Sequence, residues 1–295
     1  MSRRPPRLLL LAALPLAAVA LSACSARTPS ASSVARPGGP DPGVAHVHGL
    51  GVDPADGVLY AATHYGLFRI PDSGPATRVA DRFQDTMGFT VVGPRTFLGS
   101  GHPDFQKDPD LPPRLGLIRS TDAAQSWQSV SLSGKVDFHA LHAADGNVYG
   151  WDSGTGDLMV SGDDGRTWDT RSTLALRDFA VSPTDPDLLL ATTEKGLARS
   201  TDGGRTWQQV PGAPLLAVLA WPDPQTLFGV APGGAVVQSS DGGATWDRRG
   251  TAGGQPEALA ADTRNGTPTL YVAISDRGVL ASTDGGRSFT TRYAE

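Results

Sequence analysis

All six histidines of this 295-residue chain lie between positions 46 and 142. Four of them, His48, His64, His102 and His139, combine with Met87 into a borderline-to-soft donor set. Imidazole with a thioether suits copper and, less well, zinc. Carboxylates are the other source of chemistry. Beyond the terminal Glu295 the only glutamates are Glu194 and Glu257, and Asp178 and Asp276 join them as candidates. A glycoside hydrolase needs two such groups about 5–9.5 Å apart across the scissile bond. Arg177 is a further candidate for ligand contact.

These residues are far apart in sequence, so a repeat must bring them together. The segment Ser200-Thr-Asp202-Gly-Gly204-Arg-Thr206-Trp207 recurs from Ser161 to Trp168, from Ser239 to Trp246 and from Ser282 to Phe289. A weaker copy runs from Ser120 to Trp127, with Ala124 in place of the second Gly. The starts are 41, 39, 39 and 43 residues apart, a period that signals a repeat architecture. Each copy reads as a hairpin turn. The Asp accepts turn N–H groups, Gly supplies a positive φ, and Trp fills the space between neighbouring sheets. The motif resembles the Asp box, or BNR repeat. Families that carry several, the sialidases among them, are β-propellers in which the box joins the third and fourth strands of a blade. His-Val-His-Gly-Leu at 46–50 is similar to bacterial lipoproteins named as glycosylhydrolases.

Strand patterns precede each box, as at Phe179–Ser182, Leu188–Thr192 and Gly196–Ser200, and two further units lie upstream. Residues 44–295 divide into six units of 42 residues, within the ~40–50 expected of a four-stranded blade. The expected fold is therefore all-β, a six-bladed propeller with Asp-box turns between the third and fourth strands. Phe68-Arg69-Ile70-Pro71 resembles a sialidase motif, but register makes it a third strand leading into a degenerate box that keeps Asp72 and Gly74. Tyr65 with Arg177 or Arg277 would have to complete a sialidase site, and the register assembles no such triad.

Aligning the first strands places His48, Met87, His139, Arg177, Ala217 and Glu257 in one column beside the central channel. The ends of the second strands form another: His64, His102, Asp152 or Ser153, Glu194, Pro232 and Asp276. In an up-and-down blade these two positions share a face, opposite the Asp-box turns. His48, His64, Met87, His102 and His139 are thus expected to converge on one rim, with His46 and His142 off register. An insertion at 102–110 is placed to cover it.

The remaining features are an address. Arg3, Arg4 and Arg7 precede an apolar stretch from Leu8 to Leu21, too short for a comfortable membrane span. It ends in Leu21-Ser22-Ala23-Cys24, which resembles the bacterial lipobox, and Cys24 is the only Cys in the chain. The resemblance implies a signal peptide over 1–23 and a diacylglycerol on Cys24. Residues 24–43 then form a flexible tether, and the propeller occupies 44–295. A single Cys excludes disulfide frameworks and multi-Cys metal sites. The net charge of −5, with three Lys, argues against nucleic-acid binding.

The reading is a monomeric, lipid-anchored protein of the cell envelope, outside the cytoplasm. It binds a metal ion (copper or zinc), a glycan or a partner protein at a His/Met-rich channel mouth. The alternative is a glycoside hydrolase of sialidase-like fold, with Glu194, Glu257 and Asp276 as its acids.

Overall fold

The computed structural model describes Met1, residues 41–264 and residues 266–294. Cys24, nearly all of the expected signal peptide and the tether up to residue 40 lie outside the described residues. From Val47 onward the chain alternates short Val/Leu/Phe-rich runs with Gly, Pro and Asp turns, which is the pattern of antiparallel strands.

Six four-stranded antiparallel sheets result, each built from consecutive strands. Blade one holds β1 (Val47–Val52), β2 (Leu59–Thr63), β3 (Gly66–Ile70) and β4 (Thr77–Arg78); blade two holds β5 (Asp85–Gly93), β6 (Thr96–His102), β7 (Leu117–Ser120) and β8 (Gln128–Ser131). Blade three comprises β9 (Phe138–Ala144), β10 (Asn147–Asp152), β11 (Asp157–Ser161) and β12 (Asp169–Thr173). Blade four comprises β13 (Asp178–Val181), β14 (Leu189–Thr193), β15 (Gly196–Ser200) and β16 (Gln208–Gln209). Blade five runs through β17 (Val218–Asp223), β18 (Thr226–Val230), β19 (Ala235–Ser239) and β20 (Asp247–Thr251). Blade six runs through β21 (Pro256–Asp262), β22 (Thr269–Ile274), β23 (Gly278–Ser282) and β24 (Thr290–Tyr293). The first strands neighbour one another in cyclic order, β21 closing onto β1, so they line the axis of a six-bladed propeller. Arg69 lies on β3, a third strand, as its register requires.

Among the described residues no strand is exchanged between the first and last blades, and packing with a few polar contacts joins them. Val47, Leu50, Leu59, Phe68 and Ile70 of blade one share an apolar cluster with Ala258, Tyr271, Ala273 and Val279 of blade six. The Arg292 guanidinium donates to the Ile70 carbonyl at 3.0 Å and pairs with Asp72 at 2.7 Å. Glu257 Oε2 accepts the Val47 N–H at 2.9 Å.

The recurrent Ser-x-Asp turns join third to fourth strands. In blade three, Asp163 Oδ1 accepts from the Thr167 N–H at 2.9 Å and from Ser161 Oγ at 2.8 Å. Its Oδ2 accepts from Thr167 Oγ1 at 2.7 Å. Trp168 Nε1 then donates across the blade boundary to Ser131 Oγ at 2.9 Å. The second glycine is required by closeness as well as by φ. A Cβ on Gly165, at φ +83°, would stand 2.1 Å from Leu117 Cδ2 of the preceding blade.

These turn aspartates are strong acids. Hydrogen bonds from Thr167, Thr206 and Thr245 chiefly hold Asp163, Asp202 and Asp241 at about 2, and Ser288 lowers Asp284 in the same way. An unfolded Asp titrates near ~3.9. The turns therefore stabilise the fold fully above about pH 4, and that contribution is lost as pH falls through about 2. The melting temperature should drop over this window in the native chain, and much less in a D163N/D202N/D241N variant. Parallel pH profiles for the two proteins would mean that the turns do not carry the acid sensitivity.

Candidate functional site

A β-bulge opens the inner strands of four blades. Val47 pairs with Thr63 and Gly49 with Ala62, which leaves His48 as the extra residue. Met87, His139 and Glu257 are the extra residues of β5, β9 and β21 by the same criterion. In blade four the Arg177 N–H donates to the carbonyl of Thr192, the residue opposite Asp178. In blade five Ala217 does the same with Val230, the partner of Val218. Four of the six residues in the column read from the sequence are thus bulge residues, re-aimed at the strand ends, and Arg177 and Ala217 stand just before their strands.

His48, His139, Arg177 and Glu257 line a central cavity of about 370 Å³, bounded by the first strands of all six blades. Met87 and Ala217 are buried and lie off its lining. The Met87 bulge brings β5 so close to β6 that a Cβ on Gly101 would fall 2.1 Å from the Asp85 carbonyl oxygen. From blade four, Arg177 reaches the Pro256 carbonyl of blade six at 2.7 Å.

Two histidine–carboxylate groups occupy the rim. In the first, Thr63 and Gly66 close the β2–β3 hairpin, with Thr63 Oγ1 donating to the Gly66 carbonyl at 2.8 Å, and present His64 at its tip. His64 Nδ1 donates to Asp85 Oδ1 at 2.9 Å. The His48 ring stands edge-on to the His64 ring at 4.3 Å, and its Nε2 is 3.9 Å from Asp85 Oδ1. That Nε2 is buried and has no hydrogen-bond partner. Donor atoms of His48, His64 and Asp85 all lie within 4.8 Å of one another. Burial, reinforced by the neighbouring imidazoles of His64, His139 and His46, pushes His48 down to about 3. At neutral pH it is an uncharged base. The hydrogen bond to Asp85 raises His64 instead.

The second group belongs to blades two and three. His139 Nε2 lies 3.0 Å from Asp137 Oδ2, and His102 Nε2 lies 3.5 Å from the same oxygen. Asp137 Oδ1 is buried and unpartnered. Burial pushes the Asp137 carboxyl up, but the hydrogen bond with His139 and the charges of His139, His102 and Arg114 outweigh it and leave it lowered. Asp85 and His102 are directly opposed in the β5–β6 ladder, so the two groups share a wall.

Asp85 and Asp137 were not among the residues singled out from sequence. Each lies two positions before a column residue, Met87 and His139, as His46 does before His48. That offset was the available signal, since residues two apart on a strand share a face. Asp152 serves the backbone, its Oδ1 accepting the Asp137 N–H at 3.0 Å. His142 lines the cavity, with Nε2 3.7 Å from Asp178 Oδ1. Both Asp178 oxygens are committed, Oδ1 to the Phe179 N–H at 2.9 Å and Oδ2 to the Leu219 N–H at 2.8 Å.

The three acids proposed for hydrolysis occupy different places. Glu257 lines the central cavity, whereas Glu194 borders a separate depression with Leu215 and Pro232. Asp276 is exposed, at φ +59°, in the turn between β22 and β23. The blade-two insertion contributes no residue to the lining of the central cavity. Asp104 accepts the Phe83 N–H at 2.9 Å, Asp108 pairs with Arg82, and the Pro113 carbonyl meets His102 Nδ1 at 2.6 Å. The Asp104 and Asp108 contacts tie the insertion to the linker between blades one and two, and the Pro113 contact ties it to the end of β6.

No protein-family model matches the chain, and no curated protein matches it. Solved structures do resemble it. An ancestral GH74 enzyme aligns with a TM-score of 0.55 and 16% identity, over 88% of this chain and 39% of that one. The GH74 xyloglucanase from Xanthomonas campestris aligns at 0.55 and 17%, over 84% and 45%. YCF48 bound to D1 peptide aligns at 0.51 and 16%, over 84% and 82%. The chain spans less than half the length of these two GH74 chains. At such identities the likeness is one of fold.

Glu257 also serves as an acceptor for blade one. Glu257→Ala should orphan the Val47 N–H at the ring closure and cost about 1–3 kcal/mol in denaturant unfolding. Glu257→Gln, which keeps an acceptor oxygen, should lose much less. Equal stability of the Ala variant and the native chain would free Glu257 from a structural role.

Proposed function

We propose that this protein is a lipid-anchored, extracytoplasmic propeller that binds a divalent transition ion at its channel mouth. The observation that carries this reading is the His48–His64–Asp85 group, with its buried and unpartnered Nε2. A neutral imidazole with no hydrogen bond to surrender is a good donor, and burying it unpaired is otherwise costly. Two imidazoles and a carboxylate are harder than the imidazole–thioether set expected from sequence, which moves the preference from Cu(I) toward Zn(II) and Cu(II). Three protein ligands leave at least one coordination position for a ligand entering from the cavity. The lipobox-like segment around Cys24 supports attachment to the envelope by a diacylglycerol. The Ser-x-Asp-x-Gly-x-Thr-Trp turns support placing the chain among Asp-box propellers.

Metal analysis of the untagged full-length chain, followed by titration with Zn(II) and Cu(II), tests this. The native protein should hold near-stoichiometric metal, and H48A/H64A should weaken binding more than about 100-fold. Equal binding by the two proteins would sink the assignment.

A second reading, glycoside hydrolysis, is supported by the GH74 fold neighbours and by the position of Glu257 in the cavity. It requires a second carboxyl across the scissile bond. Release of reducing ends from xyloglucan, abolished by Glu257→Gln, would favour it over the binding role.

A further inference from the structure

We propose that His102, Asp137 and His139 form a second site for a divalent transition ion, beside the first and separate from it. Asp137 is more than nine-tenths buried, at 7% exposure, and its Oδ1 meets no donor. A buried carboxylate oxygen without a partner is expensive unless a cation neutralises it.

The tautomer of His102 indicates where that cation belongs. Its Nδ1 is 2.6 Å from the Pro113 carbonyl, which can only accept, so Nδ1 carries the proton. In the neutral ring Nε2 then offers a lone pair, and it faces Asp137 Oδ2 at 3.5 Å. His139 already meets Oδ2 at 3.0 Å, so the uncommitted acceptors at this place are His102 Nε2 and Asp137 Oδ1, and a cation beside them would answer both. A proton on His102 Nε2 would answer Oδ2 and still leave Oδ1 bare. An ion bound by the carboxylate answers both oxygens.

A backbone carbonyl holding the far nitrogen of a ligating histidine is the usual arrangement that fixes the ring and raises its basicity. Here the blade-two insertion supplies it through Pro113. His139 completes the set from the β9 bulge, its Nε2 3.0 Å from Oδ2. Each ring nitrogen stands from Oδ2 at about the ~3.3 Å that two ligand atoms of one tetrahedral zinc keep, but the two imidazoles lie farther from each other than the donor atoms of the first group do, so ion entry draws them together. Two imidazoles and one carboxylate again select Zn(II), Cu(II) or Co(II). The two sites use different side chains, so either can fill without the other. They share only the β5–β6 wall, where Asp85 opposes His102.

Isothermal titration of the untagged full-length chain in detergent with Zn(II) tests the assignment, with H48A/H64A and H102A/H139A measured alongside. Two ions per native chain, and one in each double variant, is the expected result. One ion per native chain, lost in H48A/H64A and retained in H102A/H139A, would overturn the second site and leave the first intact. One ion lost in both variants would mean a single shared centre, which also overturns it. No ion in any protein would remove both sites. Should H102A/H139A fail to fold, Asp137→Asn in a folded protein replaces it. The Co(II) absorption of the native chain should then fall by about half in that variant, and an unchanged spectrum would refute the site.

Discussion

Six strands running toward one axis cannot all point side chains into the same narrow space, and in four blades the bulge that opens the inner strand settles which residue does. Without it, simple alternation would carry every second side chain into the contact between blades. With it, one residue in each of these blades is turned at the strand end, and the rest of the strand resumes the packing that holds the ring. His48, His139, Arg177 and Glu257 therefore reach the cavity with their polar ends, while Leu50 and Leu141 both border it and pack in the apolar clusters. Backbone geometry thus separates what the strand needs for packing from what its head offers to a ligand. Gly101 shows how tight this is, since no side chain fits where β5 folds over it.

The polar accounts differ between the two ends of the blades. At the Ser-x-Asp turns each carboxylate is saturated by local hydroxyl and N–H donors. Within the ring, Asp104, Asp152 and Asp178 are likewise committed to backbone N–H groups. Among the described residues, the buried side-chain polar atoms without partners are four arginine Nε atoms, His48 Nε2 and Asp137 Oδ1. The last two sit on the same rim. The fold thus satisfies its carboxylates elsewhere and leaves a base and an acid oxygen bare at one place, where low local dielectric makes each costly.

Likeness to GH74 enzymes and to YCF48 fits this division. What these chains share with this one is the fold. In this chain the inner-strand heads and second hairpins of blades one to three carry imidazoles and Met87. The inner-strand heads of blades four to six are Arg177, Ala217 and Glu257. Arg177 and Glu257 spend part of their hydrogen-bonding capacity on backbone groups of other blades, so chemistry concentrates on one half of the rim and bracing on the other.

The repeat made the architecture legible from sequence, because each turn encodes its own geometry within eight residues and its spacing counts the blades. It also ordered the column from His48 to Glu257, since a shared register needs only strand alignment. What the sequence could not convey is which atoms meet. Asp85 and Asp137 look like ordinary strand-flanking acids until the bulges and the hairpin tip at His64 bring imidazoles from neighbouring blades against them. Met87 matched the column in type, yet its side chain is buried off the cavity lining, and a carboxylate two residues earlier stands beside the histidines. Local sequence determines strands and turns because their hydrogen bonds close over a few residues. Partners 20 to 40 residues apart are chosen by how adjacent blades dock, which only the closed ring decides.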